Sequence, residues 1–190
     1  MNMNQQFEIE DTEFKDLKII HPFVVYDQRG FFMKTYEREF FKANGIVLNN
    51  CEDMTTFSKK GVIRGLHFQT ECPQDKYITV SIGKIYDVVV DLRKNSKTFG
   101  KWKGIELSEQ NKLGFYIPRG FAHGFMALSD TVKFHYRCGE KYISQADSGI
   151  RWNDPDIGIA WKDIGEEPIL SERDKNLMSF KMFCEKYGGL

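Results

Sequence analysis

The chain has 190 residues, 41% of them hydrophobic and 28% charged, a balance that fits a folded domain with a sizeable core and excludes a disordered segment. Lys+Arg and Asp+Glu both number 27, so the formal net charge is zero. That argues against a general nucleic-acid binder and leaves any anionic ligand to be held by locally placed cations.

In chain order, short alternating segments at 17–26, 31–36, 46–57, 61–68, 76–82, 84–92, 101–107, 113–118, 124–128 and 132–138 are expected strands. Gly, Asn, Asp or Pro punctuates them, and many short strands with turn signals predict an all-β antiparallel sandwich or barrel. A few short helices complete it. Glu37 to Asn44 is one, and Ser171 caps another that opens S-E-R-D. The barrel is expected over roughly 17–140 of a single domain, with loops over 144–170, rich in turns and containing Pro155 and Pro168, wrapped around it. No apolar stretch approaches the roughly 20 residues that span a bilayer. Residues 1–6 are polar, without a signal-peptide core, and Cys51, Cys72, Cys138 and Cys184 are widely spread without a CxxC pair. A cytoplasmic protein with free thiols is expected, with no membrane or nucleic-acid partner.

Four places put polar residues where an apolar face is expected. Lys76 shares the parity of Ile78, Val80 and Ile82, so an ammonium ends an inward stripe; it either snorkels at the rim or serves a ligand. Tyr136 shares the inner face of Val132 and Phe134, while Lys133 and His135 point out. A core tyrosine with a satisfied hydroxyl is the plain reading. Arg64 and His67 have opposite parity, but a bulge at Gly65 would turn both to one cavity. His123 follows the tight turn of Pro118 and Gly120, in surroundings that suit a buried, hydrogen-bonded imidazole.

The spacing Pro118, Gly120, His123 resembles the second motif of the cupin jelly-roll barrels. The metal-binding members need H-x-H in the first motif, and here it reads His67-Phe68-Gln69. Two histidines are too few for a transition-metal site, so a member without metal or other cofactor is implied. Longer motifs narrow the resemblance: D-Q-R-G-F-F (27–32), R-G-L-H-F-Q (64–69), K-I-Y-D-V-V-V-D-L-R (84–93), S-K-T-F-G-K-W (96–102), L-S-E-Q-N-K (107–112), I-P-R-G-F-A-H-G-F (117–125), G-I-R-W-N-D-P-D-I-G-I (149–159) and L-S-E-R-D (170–174). In this order they resemble the dTDP-4-dehydrorhamnose 3,5-epimerases over roughly residues 17–176.

The resemblance implies a nucleotide-diphosphate 4-keto sugar as substrate. Its ketone acidifies C3 and C5, and inversion proceeds through an enolate. By resemblance His67 is the base, since an imidazole suits proton abstraction near neutral pH. Asp174 supports it, Tyr136 is the acid on the opposite face, and Lys76 stabilises the enolate oxygen. Arg64, His123, Arg173 and Asp147 are assigned to the substrate, and Arg29 to the nucleotide across a homodimer with exchanged N-terminal strands. Four positions depart from the family pattern: Lys34 where Glu is usual, Glu52 and Met54 in place of Gln and Asn, and Asp147 in place of Glu. Thymine and cytosine present opposite donors and acceptors at this base edge, so Lys34 and Glu52 fit a cytidine nucleotide, or else thymidine with a compensating contact. Met54 leaves open whether one centre or both are inverted. A 3,4-ketoisomerase is disfavoured by the His67 and Tyr136 pair, and an inactive sugar-binding barrel by the retained base and acid.

Overall fold

The computed structural model describes residues 7–49 and 51–190, so the polar run 1–6 lies outside the described residues. The strands are β1 (Glu8–Asp11), β2 (Lys18–His21), β3 (Phe23–Asp27), β4 (Gly30–Lys34), β5 (Glu52–Lys59), β6 (Ile63–Gln69) and β7 (Lys76–Ile82). They continue with β8 (Lys84–Asp91), β9 (Trp102–Ser108), β10 (Gly114–Ile117), β11 (Phe121–Ala127), β12 (Thr131–Cys138) and β13 (Asp147–Gly149). The helices are α1 (Arg38–Ala43), α2 (Glu172–Lys175) and α3 (Phe180–Tyr187).

The strands form a jelly-roll sandwich. A six-stranded sheet runs β1-β2-β10-β7-β12-β5, and a five-stranded sheet runs β13-β6-β11-β8-β9. Their facing sides bury one apolar cluster, with Ile78 and Val80 of β7, Phe134 of β12, Ile85 and Val89 of β8, and Phe121 and Phe125 of β11. Where the strands are regular, alternation puts every second residue there. The outer side of the six-stranded sheet is covered by α1, whose fully buried Phe41 packs edge-on against Tyr77. The segment 150–190 covers the five-stranded sheet through Ile150, Ile157 and Phe183. Among the described residues, no helix is long and apolar enough to cross a membrane.

Several expectations change. Pro22, which has no N–H to donate, divides 17–26 into β2 and β3, which pair with different partners. Residues 46–49 are not a strand: Ile46 and Leu48 instead pack with Phe41 and Tyr77. The sheets reach past the expected barrel bounds, because the short β1 and β13 extend them at each end. Ile82 is 43% exposed rather than inward, because the β7–β12 register shifts between Val80 and Ile82 and the parity flips. The helix ends match: Glu37 and Asn44 flank α1, and the Ser171 hydroxyl accepts from the backbone N–H of Asp174.

Candidate active site

The core fills one end of the space between the sheets, and a cavity of about 320 Å³ opens at the other. Each inward stripe changes from apolar to polar there. On β7 the stripe runs Val80, Ile78, Lys76, and on β12 it runs Val132, Phe134, Tyr136. Met54 of β5 is the cross-strand partner of Tyr136. Lys76, Tyr136 and Met54 therefore enter from the six-stranded sheet, while His67 enters from the five-stranded one.

His67 reaches the cavity through a break in β6. Ile63, Leu66 and Phe68 all pack on the outer cluster, so alternation fails once between them. Gly65 sits at that point with φ +130°, a conformation open to glycine, and a Cβ there would lie 2.5 Å from the Gly124 Cα. The β6–β11 register shifts beside it. Arg64 and His67 thus leave on the same side, but only His67 lines the cavity; Arg64 stays exposed, so the expectation that a bulge brings both into one cavity holds for His67 alone.

Asp174 completes a dyad from α2. Its Oδ1 is 2.6 Å from His67 Nε2, and its side chain is buried. Burial pushes this carboxyl up, yet the hydrogen bond and charge of His67 outweigh it and hold it below the ordinary range. Directly across the ladder from His67 stands His123, whose Nε2 lies 3.0 and 3.1 Å from the two oxygens of Asp87. Asp87 went unnoticed in the sequence, although it shares the parity of the inward Ile85 and Val89. Burial lowers the pKa of Lys76, offset in part by Cys138, Asp87 and Asp147. The Lys76 side chain lines the cavity, where its ammonium can meet a ligand.

The rim is a linked set. Arg173 pairs with Asp147 at 2.7 Å, and the Tyr142 hydroxyl donates to the same Asp147 oxygen at 2.9 Å. All three line the cavity. Tyr142 is a second residue the sequence reading missed, since loop positions carry no parity signal. Gln69, two residues after His67, pins the same loop by donating to Lys141 O and accepting from Ile143 N.

His123, across the ladder from His67, is not among the cavity-lining residues, and four further expected substrate contacts lie apart from this cavity in the single chain. Glu52 Oε1 accepts from the Tyr142 backbone N–H, and its buried Oε2 has no partner among the described residues. Lys34 pairs with Glu37 at 2.8 Å. Arg64 is exposed, with Nε 3.5 Å from Ser58 Oγ. Arg29 lies in the two-residue turn of the β3–β4 hairpin, held by Asp27. No group of three or more His, Cys, Asp or Glu among the described residues is arranged to hold a metal ion.

The dTDP-4-dehydrorhamnose 3,5-epimerase family model matches residues 11–182. A dTDP-4-dehydrorhamnose 3,5-epimerase of Methanothermobacter thermautotrophicus is 48% identical over 172 residues, covering 90% of this chain and 93% of its own. The crystal structure of a Legionella pneumophila 3,5-epimerase in complex with dTDP-4-keto-L-rhamnose is 38% identical. It superposes with a TM-score of 0.90 and covers 93% of this chain and 94% of its own. A 3'-monoepimerase from Streptomyces bikiniensis in complex with dTDP-quinovose is 30% identical, with a TM-score of 0.85 and coverage of 93% and 89%. A family model spanning most of the chain and a relative at nearly half identity along it leave one conclusion: the chain belongs to the dTDP-4-dehydrorhamnose 3,5-epimerase family.

Proposed function

We propose that this protein, as a single epimerase domain, inverts C3 and C5 of dTDP-4-keto-6-deoxyglucose by stepwise proton transfer through an enolate. One observation carries the mechanism: His67, paired with Asp174, and Tyr136 enter one cavity from opposite sheets. Inversion needs proton removal on one face of the sugar and return on the other, which two facing sheets supply. His67 takes the proton from carbon, and Asp174 stabilises the resulting imidazolium. Lys76 stabilises the negative charge that develops on the C4 oxygen. Tyr136 returns a proton on the opposite face, and before the second centre is inverted the His67 imidazolium gives up its proton and the Tyr136 phenolate regains one by exchange with solvent. Arg173, Asp147 and Met54 shape the sugar site, and Arg64 and His123 serve the substrate's charged or polar groups.

Arg29 serves the nucleotide of a second copy in a homodimer. The β3–β4 hairpin is a separate two-stranded sheet, and its Val25, Tyr26, Phe31 and Phe32 are exposed. β5 is an edge strand of the six-stranded sheet and carries the exposed Phe57. An unpaired apolar hairpin and an open apolar edge fit one another across two copies. Light scattering should give twice the chain mass. Lys34 and Glu52 sit on the hairpin and on that edge, so the base they contact is read by the same pairing. Turnover of dTDP- and CDP-linked 4-keto-6-deoxyglucose compares the two bases; the thymidine reading expects a clear preference for dTDP.

A second reading, inversion at a single centre, has one feature in its favour. Met54 places an apolar side chain directly opposite Tyr136, beside the acid. Proton NMR of the substrate with enzyme in D₂O separates the readings: deuterium enters at both C3 and C5, or at one only. A barrel that merely binds the sugar exchanges neither.

A further inference from the structure

Asp87 is a fully buried charged residue that the proposed mechanism leaves unused. It lies on β8 in the run Lys84-Ile85-Tyr86-Asp87-Val88-Val89, where Ile85 and Val89 belong to the core between the sheets. Its side chain is fully buried. A carboxylate in such a place is costly unless paired and hydrogen-bonded. Asp87 has one such partner, His123, bonded through both oxygens. Burial pushes the Asp87 carboxyl up, and His123 and then Lys76 oppose that push. The reciprocal holds at Lys76, where burial works against the ammonium and Asp87 works for it.

We propose that Asp87, anchored by His123, is a positioning residue for the reaction: bonded through both its oxygens it fixes the His123 imidazole directly across the ladder from the base, and its buried negative charge supports the Lys76 ammonium at the cavity. The inference rests on the enolate reading. His67 must gain a proton during turnover, and its direct cross-strand neighbour is His123. Without the Asp87 charge, the positive charge of Lys76 would oppose that step unbalanced. With Asp87 present, each of the two imidazoles has its own carboxylate, Asp174 for His67 and Asp87 for His123. Lys76 remains the cation whose charge is left for the enolate oxygen.

Other groups also face Lys76. Cys138 of β12 is its cross-strand partner, Tyr136 lies on the same strand, Asp147 comes from β13, His67 from β6, and Tyr142 and Arg173 from the rim. Burial pushes the Cys138 thiol up to about 11, so it stays neutral around pH 7. Asp147 is already shared by Arg173 and Tyr142. Asp87 is therefore the negative charge near Lys76 whose partner also neighbours the base.

The test is Asp87→Asn, which keeps the shape and removes the charge. Deuterium wash-in at C3 and C5 is followed from pH 6 to 10 at saturating and at low substrate. The expected result is a kcat lower by about tenfold or more, with KM close to that of the unsubstituted protein. The alkaline limb should move to lower pH by about one unit, since removing a nearby anion makes an ammonium lose its proton more readily. A purely structural role would lower Tm and leave the limb where it was, and that result overturns the inference, as does an unchanged kcat. If Asp87→Asn does not fold, His123→Gln makes the same test. A carboxylate deprived of its imidazole takes up a proton more easily, so the limb again moves to lower pH, and an unmoved limb again refutes the proposal. Absence of wash-in by the unsubstituted protein overturns the enolate reading and this inference with it. That result is distinct from normal wash-in with an unmoved limb.

Discussion

Replacing Asp174 by Asn tests the dyad with little change in shape. The Ser171 cap on α2 uses the Asp174 backbone N–H, so the helix start survives the change. The substituted amide keeps an oxygen to accept from His67 but loses the charge. The contact is 2.6 Å between heavy atoms, and the centres of charge of a carboxylate and an imidazolium lie about 4 Å apart. At an effective dielectric constant of about 20, suited to a site open to a cavity, that pair is worth about 4 kcal/mol. A transition state with the proton half transferred feels about half of this, roughly 2 kcal/mol, or about 30-fold in rate. Complete transfer would feel all of it, about 1,000-fold. Asp174→Asn should thus lower kcat by about 30- to 1,000-fold with KM nearly unchanged, measured as initial wash-in at saturating substrate. A loss smaller than about threefold, with the fold intact by circular dichroism, would refute the role given to this carboxylate.

Three further outcomes follow from the same geometry. Gly65→Ala forces a Cβ against the Gly124 Cα and the His123 carbonyl at a positive φ, so it should cost several kcal/mol and release His67 from the cavity. Normal activity and unchanged denaturant midpoint would show the bend to be dispensable. Asp91 is fully buried and accepts from Arg93, Ser96 and Thr98; burial raises its pKa, but these bonds outweigh burial and lower it on balance. A depressed folded pKa gives stability that is present above the ordinary Asp range near about 3.9 and lost as pH falls through the folded value. Asp91→Asn should therefore be less stable at pH 7, by roughly 3 kcal/mol, and flatter than the unsubstituted protein below pH 4 in urea titrations; parallel curves would contradict this. Excess chelator should leave turnover unchanged, because the imidazoles of His67 and His123 are each engaged by a carboxylate. Loss of activity restored by a divalent ion would refute that.

Much of the fold was readable where alternation is regular. Lys76 and Tyr136 were placed on inward faces by parity with Ile78 and Phe134, and the structure has them there. Parity fails where a strand is irregular. Ile82 turned outward after a register shift that no residue type announces. Arg64 and His67 share a side only because Gly65 breaks β6, and here a glycine inside an apolar strand was a usable signal. β1 and β13 escaped notice because strands of four and three residues are too short to show a period. Asp87 was legible by the same parity rule as Lys76, since it shares the face of Ile85 and Val89. The rim is a different case: Asp147, Arg173 and Tyr142 come from a short strand, a helix and a loop, and only the folded chain brings them together.

On the proposed mechanism one cavity removes a proton from one face of a 4-keto sugar and returns one on the other. Proton NMR of dTDP-4-keto-6-deoxyglucose in D₂O with the protein, beside His67→Ala and Tyr136→Phe, tests it most directly. The account predicts deuterium at C3 and C5 with the unsubstituted protein. His67→Ala should stop exchange at both positions, and Tyr136→Phe should still wash out substrate hydrogens while forming little inverted product. Exchange at full rate with His67→Ala, or none with the unsubstituted protein, would contradict the account.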